Sequence, residues 1–207
     1  MSTPVNDTAR LYLEAASTFA DLVARIAPSA YDGPGLGVWD LRALVGHTSR
    51  ALVTVLTYLD RPADTEASES PEQYYAVAAR LSTDGDAIVE RGRRAGEDLG
   101  PRPVEAVRDL LERTRTKVGT ADPDALISVM GGGMKVRNYL STRIFELVVH
   151  GYDIGAATGV EVTFSEPVLG HAVELAARIA VTFGKGRAAL LALTGRGRLP
   201  AGFSVVG

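Results

Sequence analysis

Residues 136–158 read VRNYLSTRIFELVVHGYDIGAAT, and this stretch decides the fold. When it is drawn as a helix, apolar side chains fill most of its circumference, and the polar ones recur at steps of three or four residues. The polar positions are Tyr139, Arg143, Glu146, His150 and Asp153. A helix with so narrow a polar stripe is buried over most of its surface. The sequence therefore predicts a central helix packed among other helices.

Helical spacing of apolar residues predicts five further helical stretches around this one. They cover residues 5–27, 41–59, 71–99, 104–118 and 165–183. Asp40 is a suitable N-cap for the second stretch, and Ser165 with Pro167 opens the last one. The third stretch could be interrupted at Gly85 or Gly92, because glycine weakens a helix interior. All of these stretches are long enough to contribute an apolar face to one core.

No segment forms a convincing strand by its pattern. Residues 121–133, ADPDALISVMGGG, are predicted to be a long connection, since three glycines allow unusual backbone angles. Residues 160–164, VEVTF, are the only alternating segment, and the Gly-rich residues after Phe183 predict short pieces only. The fold class is therefore all-α, most simply a helical bundle with short appendages.

Composition limits the function classes. A chain of 207 residues, 46% of them hydrophobic, builds one sizeable core. A formal net charge of −3 argues against nucleic acid as a partner. The lack of cysteine excludes disulfides, protein thiolate nucleophiles and Cys-type zinc sites. No apolar run reaches the roughly 20 residues that span a bilayer, and the polar first residues do not form a signal peptide. We expect a soluble cytoplasmic protein with no membrane partner.

Two histidines and one carboxylate form the candidate chemical group. Glu146 and His150 lie one helical turn apart, so both side chains can point at a single ion. Such a pair is also common on helix surfaces, and that interpretation stays open. His47 lies at the edge of the apolar stripe of its helix, where a buried histidine is more often a hydrogen-bonded core residue. Together, however, the three side chains are a known ligand set for a catalytic zinc ion that keeps one position open.

Other polar residues are less decisive. Asp153 could fix a ring nitrogen of His150 from behind, or it could form an ion pair with Arg143. His171 lies near Glu174 but lacks a third ligand, so we interpret it as structural. The chain contains no GxSxG, GxxxxGK[ST] or HExxH motif, and GGGM and GKGR are better explained as flexible connections than as phosphate-binding loops.

Two segments carry a family resemblance. WDLRALVGHTSR at residues 39–50 and RIFELVVHGYDIGAATG at residues 143–159 resemble the mycothiol-dependent maleylpyruvate isomerase family of the DinB/YfiT-like superfamily. In that family a Trp opens the second helix and a His eight residues later binds metal, which Trp39 and His47 match. The second family signature has Arg, then Glu, then His-Gly-aromatic-Asp, as this chain has. ALLALTGR at residues 189–196 also resembles the family's C-terminal segment.

The resemblance implies a DinB/YfiT-like four-helix bundle with short extra helices over residues 1–184, and a short irregular C-terminal extension over residues 185–207. It implies that His47, Glu146 and His150 hold a divalent ion, usually Zn²⁺, whose open position receives the thiol of mycothiol, the low-molecular-weight thiol of actinobacteria. A bound cation stabilises a thiolate at neutral pH, so the cosubstrate would supply the sulfur that the chain lacks. The predominance of Arg over Lys, which indicates a GC-rich genome, agrees with an actinobacterial source.

The implied chemistry joins this small-molecule thiol to a small electrophile. A thiolate that adds to an activated double bond and leaves again isomerises it, whereas one that stays attached is transferred. Arg143 could contact an anionic substrate or cofactor. Residues 184–207 are too few for the additional C-terminal domain of the isomerases, so we expect the wider mycothiol-dependent branch rather than maleylpyruvate isomerisation itself. A non-catalytic DinB-like protein that binds a metal or ligand is the alternative, and an interaction protein without metal is a third. The oligomeric state stays open, with a homodimer among the options.

Overall fold

The computed structural model describes residues 5–81 and 85–206, with side chains from Asp7 onward. Helices dominate the described residues, and three short strands lie between them. The helices are α1 Val5–Ala24, α2 Leu41–Tyr58, α3 Pro71–Leu81, α4 Gly85–Asp98, α5 Pro103–Gly119, α6 Val136–Thr158, α7 Glu166–Thr182 and α8 Gly186–Leu193. The strands are β1 Glu66–Ser68, β2 Leu126–Val129 and β3 Gly132–Lys135.

Four of these helices form the bundle that the sequence predicts. Helices α1 and α2 each pack against both α5 and α6, so the four stand at the corners of a square. Helix α4 covers α2 from outside, and α7 packs on α6. The centre is filled by large side chains that solvent does not reach, among them Tyr12, Phe19, Leu44, Leu52, Tyr139, Ile144 and Leu147. The protein is thus mostly helical, as an all-α DinB-like bundle with extra helices should be.

The caps of the helices agree with the sequence interpretation. The Asp40 carboxylate accepts a hydrogen bond from the backbone N–H of Ala43 at 2.7 Å and starts α2. Helix α6 ends at Gly159, whose φ of 70° is the left-handed value that glycine accepts most easily. The Ser165 hydroxyl accepts from the N–H of Val168 and opens α7. These three signals place α2, α6 and α7 within about a residue of the predicted bounds.

Two helical stretches differ from prediction in their bounds. Helix α1 ends at Ala24, before Pro28 and the single 3-10 turn that follows, rather than at residue 27. The stretch 71–99 is two helices, α3 and α4, and the junction at residues 82–84 lies outside the described part of the chain. Of the two predicted interruption points, Gly85 begins α4, whereas Gly92 lies inside α4. A Cβ on Gly92 would come within 2.5 Å of the Trp39 ring, so this glycine serves helix packing.

The prediction that strands are absent is wrong. Strands β2 and β3 form an antiparallel hairpin inside the segment expected to be a connection, and β1 adds to β3 in parallel, in the order β1-β3-β2. Gly131 and Gly132 turn the chain with φ values of 89° and 126°. A Cβ on Gly133 would lie 2.0 Å from the Thr65 carbonyl oxygen, so only glycine permits β3 to approach this closely. The alternating segment 160–164 carries no strand.

None of the described helices combines the length and the apolar character that a membrane span requires. Among the described residues after α7, the regular element is α8, which packs on α7.

Candidate metal centre

Helices α2 and α6 bring the three predicted side chains together. His47, Glu146 and His150 each offer one ligand atom, and these atoms all lie within 4.8 Å of one another. The two imidazole rings meet edge to face, with their centroids 4.9 Å apart. Because α2 and α6 pack directly against each other in the bundle, residues from distant parts of the chain converge without any loop being involved.

His47 has an environment unlike that of an ordinary core histidine. Its Nδ1 atom is buried and has no hydrogen-bond partner among the described residues. The Trp39 ring lies against it at a centroid distance of 4.6 Å. Burial, and after it the charge of the nearby His150, lower the pKa of His47 to about 4, so the imidazole is neutral at pH 7. A neutral ring with an unpaired buried nitrogen has a lone pair to offer.

Both carboxylate oxygens of Glu146 have polar contacts. The Tyr75 hydroxyl donates to Oε1 at 2.8 Å, and Oε2 lies 3.4 Å from His150 Nε2. Burial alone would raise the pKa of Glu146, but the hydrogen bond from His150 and the charge of Arg143 outweigh it and hold the pKa at about 2. Burial raises the pKa of Tyr75 well above 10, so its hydroxyl stays protonated and donates.

His150 is oriented from behind by Asp153. Its Nδ1 lies 2.9 Å from the Asp153 carboxylate, which leaves Nε2 facing Glu146 and His47. Burial acts to lower the pKa of His150, but Asp153 and Glu146 together raise it to about 9. Of the two roles left open for Asp153 by the sequence, the contact present is the one with His150. A carboxylate that holds the far nitrogen of a histidine is the usual arrangement behind a metal ligand.

Arg143 lies one turn before Glu146 and is almost completely buried, at 9% exposure. Its Nε donates to the Thr142 hydroxyl at 3.0 Å. Its guanidinium faces the Tyr74 and Tyr139 rings, with Cζ 5.6 and 5.0 Å from their centroids. In the described part of the chain, no carboxylate lies within ion-pair distance of it, so the alternative ion pair with Asp153 is not formed.

A cavity of about 620 Å³ opens beside the group. His47, Glu146 and Arg143 line it, together with side chains from α2, α3, α4 and the β2–β3 hairpin. It is large enough for a small-molecule ligand.

His171 lies elsewhere, on α7, where its Nε2 is 2.6 Å from the Ser141 hydroxyl.

The contact of Tyr75 with Glu146 was not predicted from the sequence. This hydrogen bond joins residues 71 positions apart, so it leaves no local pattern. The adjacent aromatic residues Tyr74 and Tyr75 are the only sequence signal that could have pointed there.

The residues present fit a divalent metal ion. The donor set of two imidazoles and one carboxylate suits Zn²⁺, and the buried, unpartnered Nδ1 of His47 indicates that the protein itself does not satisfy this ring.

Comparison with known proteins agrees with this architecture. Residues 12–155 match the profile of a family described as the mycothiol maleylpyruvate isomerase N-terminal domain. Neither the curated proteins nor the solved structures contain a significant match to the chain. The matched range includes helices α2 and α6 and all three residues of the group. Since the match extends over most of the chain, this protein belongs to the mycothiol maleylpyruvate isomerase N-terminal domain family.

Proposed function

We propose that this chain is a metal-dependent enzyme that uses mycothiol to transform a small electrophile, by isomerisation or by S-transfer. His47, Glu146 and His150 would hold the ion, for which Zn²⁺ fits the donor set best. When bound, such an ion would supply a thiolate at neutral pH by stabilising the charge on the sulfur of the cosubstrate. In isomerisation the C–S bond forms and breaks again, and in S-transfer it is kept.

One observation carries the proposal: three ligand atoms from two packed helices lie within 4.8 Å of one another, and one of the imidazoles is buried without a partner. The surrounding residues support it. Tyr75 and Asp153 hold Glu146 and His150 in fixed orientations, and the Trp39 ring limits the movement of His47. Rigid support of this kind is what ligand side chains need to keep their geometry. In this proposal residues 1–184 form the metal-binding bundle and residues 185–207 a short extension.

Elemental analysis tests the metal site. Protein purified without chelator should contain about one zinc ion per chain. We expect most of it to be lost in His47→Ala and in His150→Ala, while the helical circular dichroism signal persists. The matched control is His171→Ala, the third histidine of the chain, which should keep its metal. Equal metal content in all four proteins would contradict the proposal.

A thiol comparison then separates the enzyme from the alternative, a bundle that binds metal without catalysis. In cobalt-substituted protein, mycothiol should change the visible absorbance, because sulfur entering the cobalt coordination adds charge-transfer bands. A panel of electrophiles should react faster with mycothiol than with glutathione in the presence of the protein. A non-catalytic protein would show neither the absorbance change nor the rate difference.

A further inference from the structure

We propose that residues 181–206 form a surface that binds anionic lipid membranes, through exposed aliphatic side chains of α8 and cationic residues on both sides of them. We call these residues the C-terminal surface. The proposal goes beyond the proposed function, since it involves neither the three ligands nor the cavity beside them. It differs from the expectation that a membrane is not a partner, because that expectation was drawn from spanning segments, and a helix that lies on a bilayer needs none.

The C-terminal surface differs in charge from the rest of the chain. It contains four cationic residues and no acidic residue. All 25 Asp and Glu residues of the chain occur no later than Glu174, so the residues before the C-terminal surface are more acidic than the net charge of −3 indicates. Such a separation of charge along a sequence is typical of a basic segment that binds an anionic partner. The cations are Lys185, Arg187, Arg196 and Arg198.

The fold leaves these charges without acidic partners. Among the described residues, the side chains of Lys185 and Arg196 donate to backbone carbonyl oxygens, at 2.6 and 2.9 Å, and these acceptors are neutral. The other two arginines are exposed. In the described part of the chain, the last ion pair along the sequence joins Arg178 to Glu174 and lies outside the C-terminal surface. Uncompensated cations on an exposed segment are attracted to an anionic membrane surface within about a Debye length of it.

Exposed aliphatic side chains lie between the cations. Leu190 and Leu193 are one turn apart on the same face of α8, and they are 62% and 72% exposed. Arg187 precedes Leu190 by three residues, so it extends this face. Val181 is also exposed and adjoins the start of α8, because a Cβ on Gly186 would lie 2.7 Å from its side chain. Large apolar side chains that are grouped in this way mark an interaction site, whereas single ones need no explanation.

The turn after α8 keeps the following cations beside the helix. Gly195 has a φ of 71°, which reverses the chain, and the N–H of Arg196 donates to the Leu191 carbonyl oxygen at 2.7 Å. A Cβ on Gly197 would lie 3.4 Å from the Leu191 Cβ, so residue 197 still contacts α8. Arg196 and Arg198 therefore lie next to the C-terminal end of α8. Cations thus flank the exposed leucines at both ends of this helix.

The combination of charge and apolar side chains favours a lipid surface over other occupants. A second copy that docked through the same surface would bring like charges together, which is unfavourable. A nucleic acid would match the charge but would leave the leucines without apolar contacts. An anionic bilayer offers phosphate groups to the cations and acyl chains to the leucines. A short helix that lies in the plane of the interface, with its apolar face turned inward, uses both at once.

Vesicle sedimentation with the full chain tests the proposal. Vesicles of equal parts phosphatidylcholine and phosphatidylglycerol are compared with vesicles of phosphatidylcholine alone, each at low and at high salt. We expect the wild type to sediment with the anionic vesicles at low salt, and less of it to do so at high salt, because salt screens the attraction. No binding to the anionic vesicles, or equal binding to both kinds of vesicle, would overturn the proposal.

A charge variant locates the surface. Arg187→Gln/Arg198→Gln should weaken partitioning into the anionic vesicles by roughly twenty-fold, since each cation near a membrane contributes about five-fold. The matched control is Arg93→Gln/Arg108→Gln, which removes the same charge from exposed positions on α4 and α5. This control should partition nearly as the wild type does. Equal partitioning of the two double variants would overturn the location of the surface on residues 181–206.

An apolar variant tests the leucines separately. Leu190→Ser/Leu193→Ser should weaken partitioning by about ten-fold or more, because two buried aliphatic side chains are lost from the interface. Val38→Ser is the control, since Val38 is as exposed as Leu193 but lies in the loop before α2. Unchanged partitioning of the leucine variant would contradict insertion of α8. Circular dichroism checks the fold of each variant; if one does not fold, the other decides, together with the comparison of vesicles for the wild type.

Light scattering without lipid examines the competing occupant, a second copy. A wild type that is dimeric, becomes monomeric in Leu190→Ser/Leu193→Ser and does not bind anionic vesicles would overturn the proposal, because the same side chains would then form a protein interface. We expect both surface variants to keep the metal content of the wild type. A failure of the proposed function would appear as missing metal in every protein, so the two failures are distinguishable.

Discussion

Tyr75 and Asp153 stand behind the Glu146–His150 pair and fix the direction in which both side chains point. Each uses one strong hydrogen bond, from the Tyr75 hydroxyl to Glu146 and from His150 Nδ1 to Asp153. Without these two hydrogen bonds the Glu146 and His150 side chains would be free to rotate. The orientation of the pair therefore depends on Asp153, a neighbour on the same helix that the sequence already suggested, and on Tyr75, which only the folded structure brings into contact.

Removing the Tyr75 hydroxyl should loosen the metal. In Tyr75→Phe, Glu146 loses the hydrogen bond to Oε1, and we expect zinc affinity to fall by about ten-fold, the usual effect of losing a partner behind a ligand. Competition with a chromogenic chelator measures this. Tyr152→Phe is the control, because Tyr152 is exposed and its ring packs on Phe164. Equal affinity of both variants for zinc would show that Tyr75 does not support Glu146.

His171 gives the folded protein a pH dependence of its own. Burial lowers its pKa below 6.5, so the unfolded chain binds more protons than the folded chain as the pH falls below about 6.5. The contribution of His171 to the free energy of unfolding is thus complete above that pH and is lost on acidification. Glu174 and Asp7 oppose this shift and Arg178 adds to it.

Urea unfolding of wild type and His171→Gln at pH 7.5 and 5.0 isolates this effect. The stability advantage of the wild type should be smaller at pH 5.0, since the contribution of the other histidines is common to both proteins. An advantage that stays constant, or grows on acidification, would contradict the burial of a neutral His171 against Ser141.

At the scale of elements, helices could be predicted and strands could not. The bounds of α2, α6 and α7 follow from apolar periodicity and from caps that lie in the sequence itself. The β2–β3 hairpin has no such local signal, because Gly132 and Gly133 are poor strand formers. The hairpin is held in place by contacts with the distant segment around Thr65. Strand β3 can approach this segment only because Gly133 lacks a side chain.

Gly133→Ala tests this account of the hairpin. The new Cβ would lie 2.0 Å from the Thr65 carbonyl oxygen and 3.0 Å from the Ala63 Cβ, so the strands must move apart. We expect the free energy of unfolding in urea to fall by about 1–3 kcal/mol. The control is Gly170→Ala in α7, where a Cβ meets nothing within 4 Å, and where alanine should stabilise the helix by about 0.5–1 kcal/mol. A Gly133→Ala protein as stable as the wild type would show that the close approach is unimportant.

Across the whole molecule, charge is distributed unevenly. The chain is acidic in total, yet the described lining of the cavity carries four arginines and one glutamate. A cleft of one charge sign raises the local concentration of ligands of the opposite sign. Composition alone could not show this uneven distribution, because it depends on which side chains line the same cavity. The sequence did place Glu146 and His150 on one face and offered His47 as a third ligand, and the resemblance implies the same set.

The metal should also act as a cross-link between two corners of the bundle. His47 belongs to α2 and the other two proposed ligands to α6, so a bound ion would tie the helices together in the folded state only. At a free zinc concentration about one hundred times the Kd, linkage adds about 2.7 kcal/mol to the free energy of unfolding. For a chain of this length that corresponds to a rise in Tm of roughly 5–10 °C. Thermal unfolding with zinc and with chelator measures the shift, which should vanish in His47→Ala and persist in His171→Ala. A shift of equal size in both variants would place the zinc elsewhere on the protein and remove the thermodynamic support for an ion held between α2 and α6.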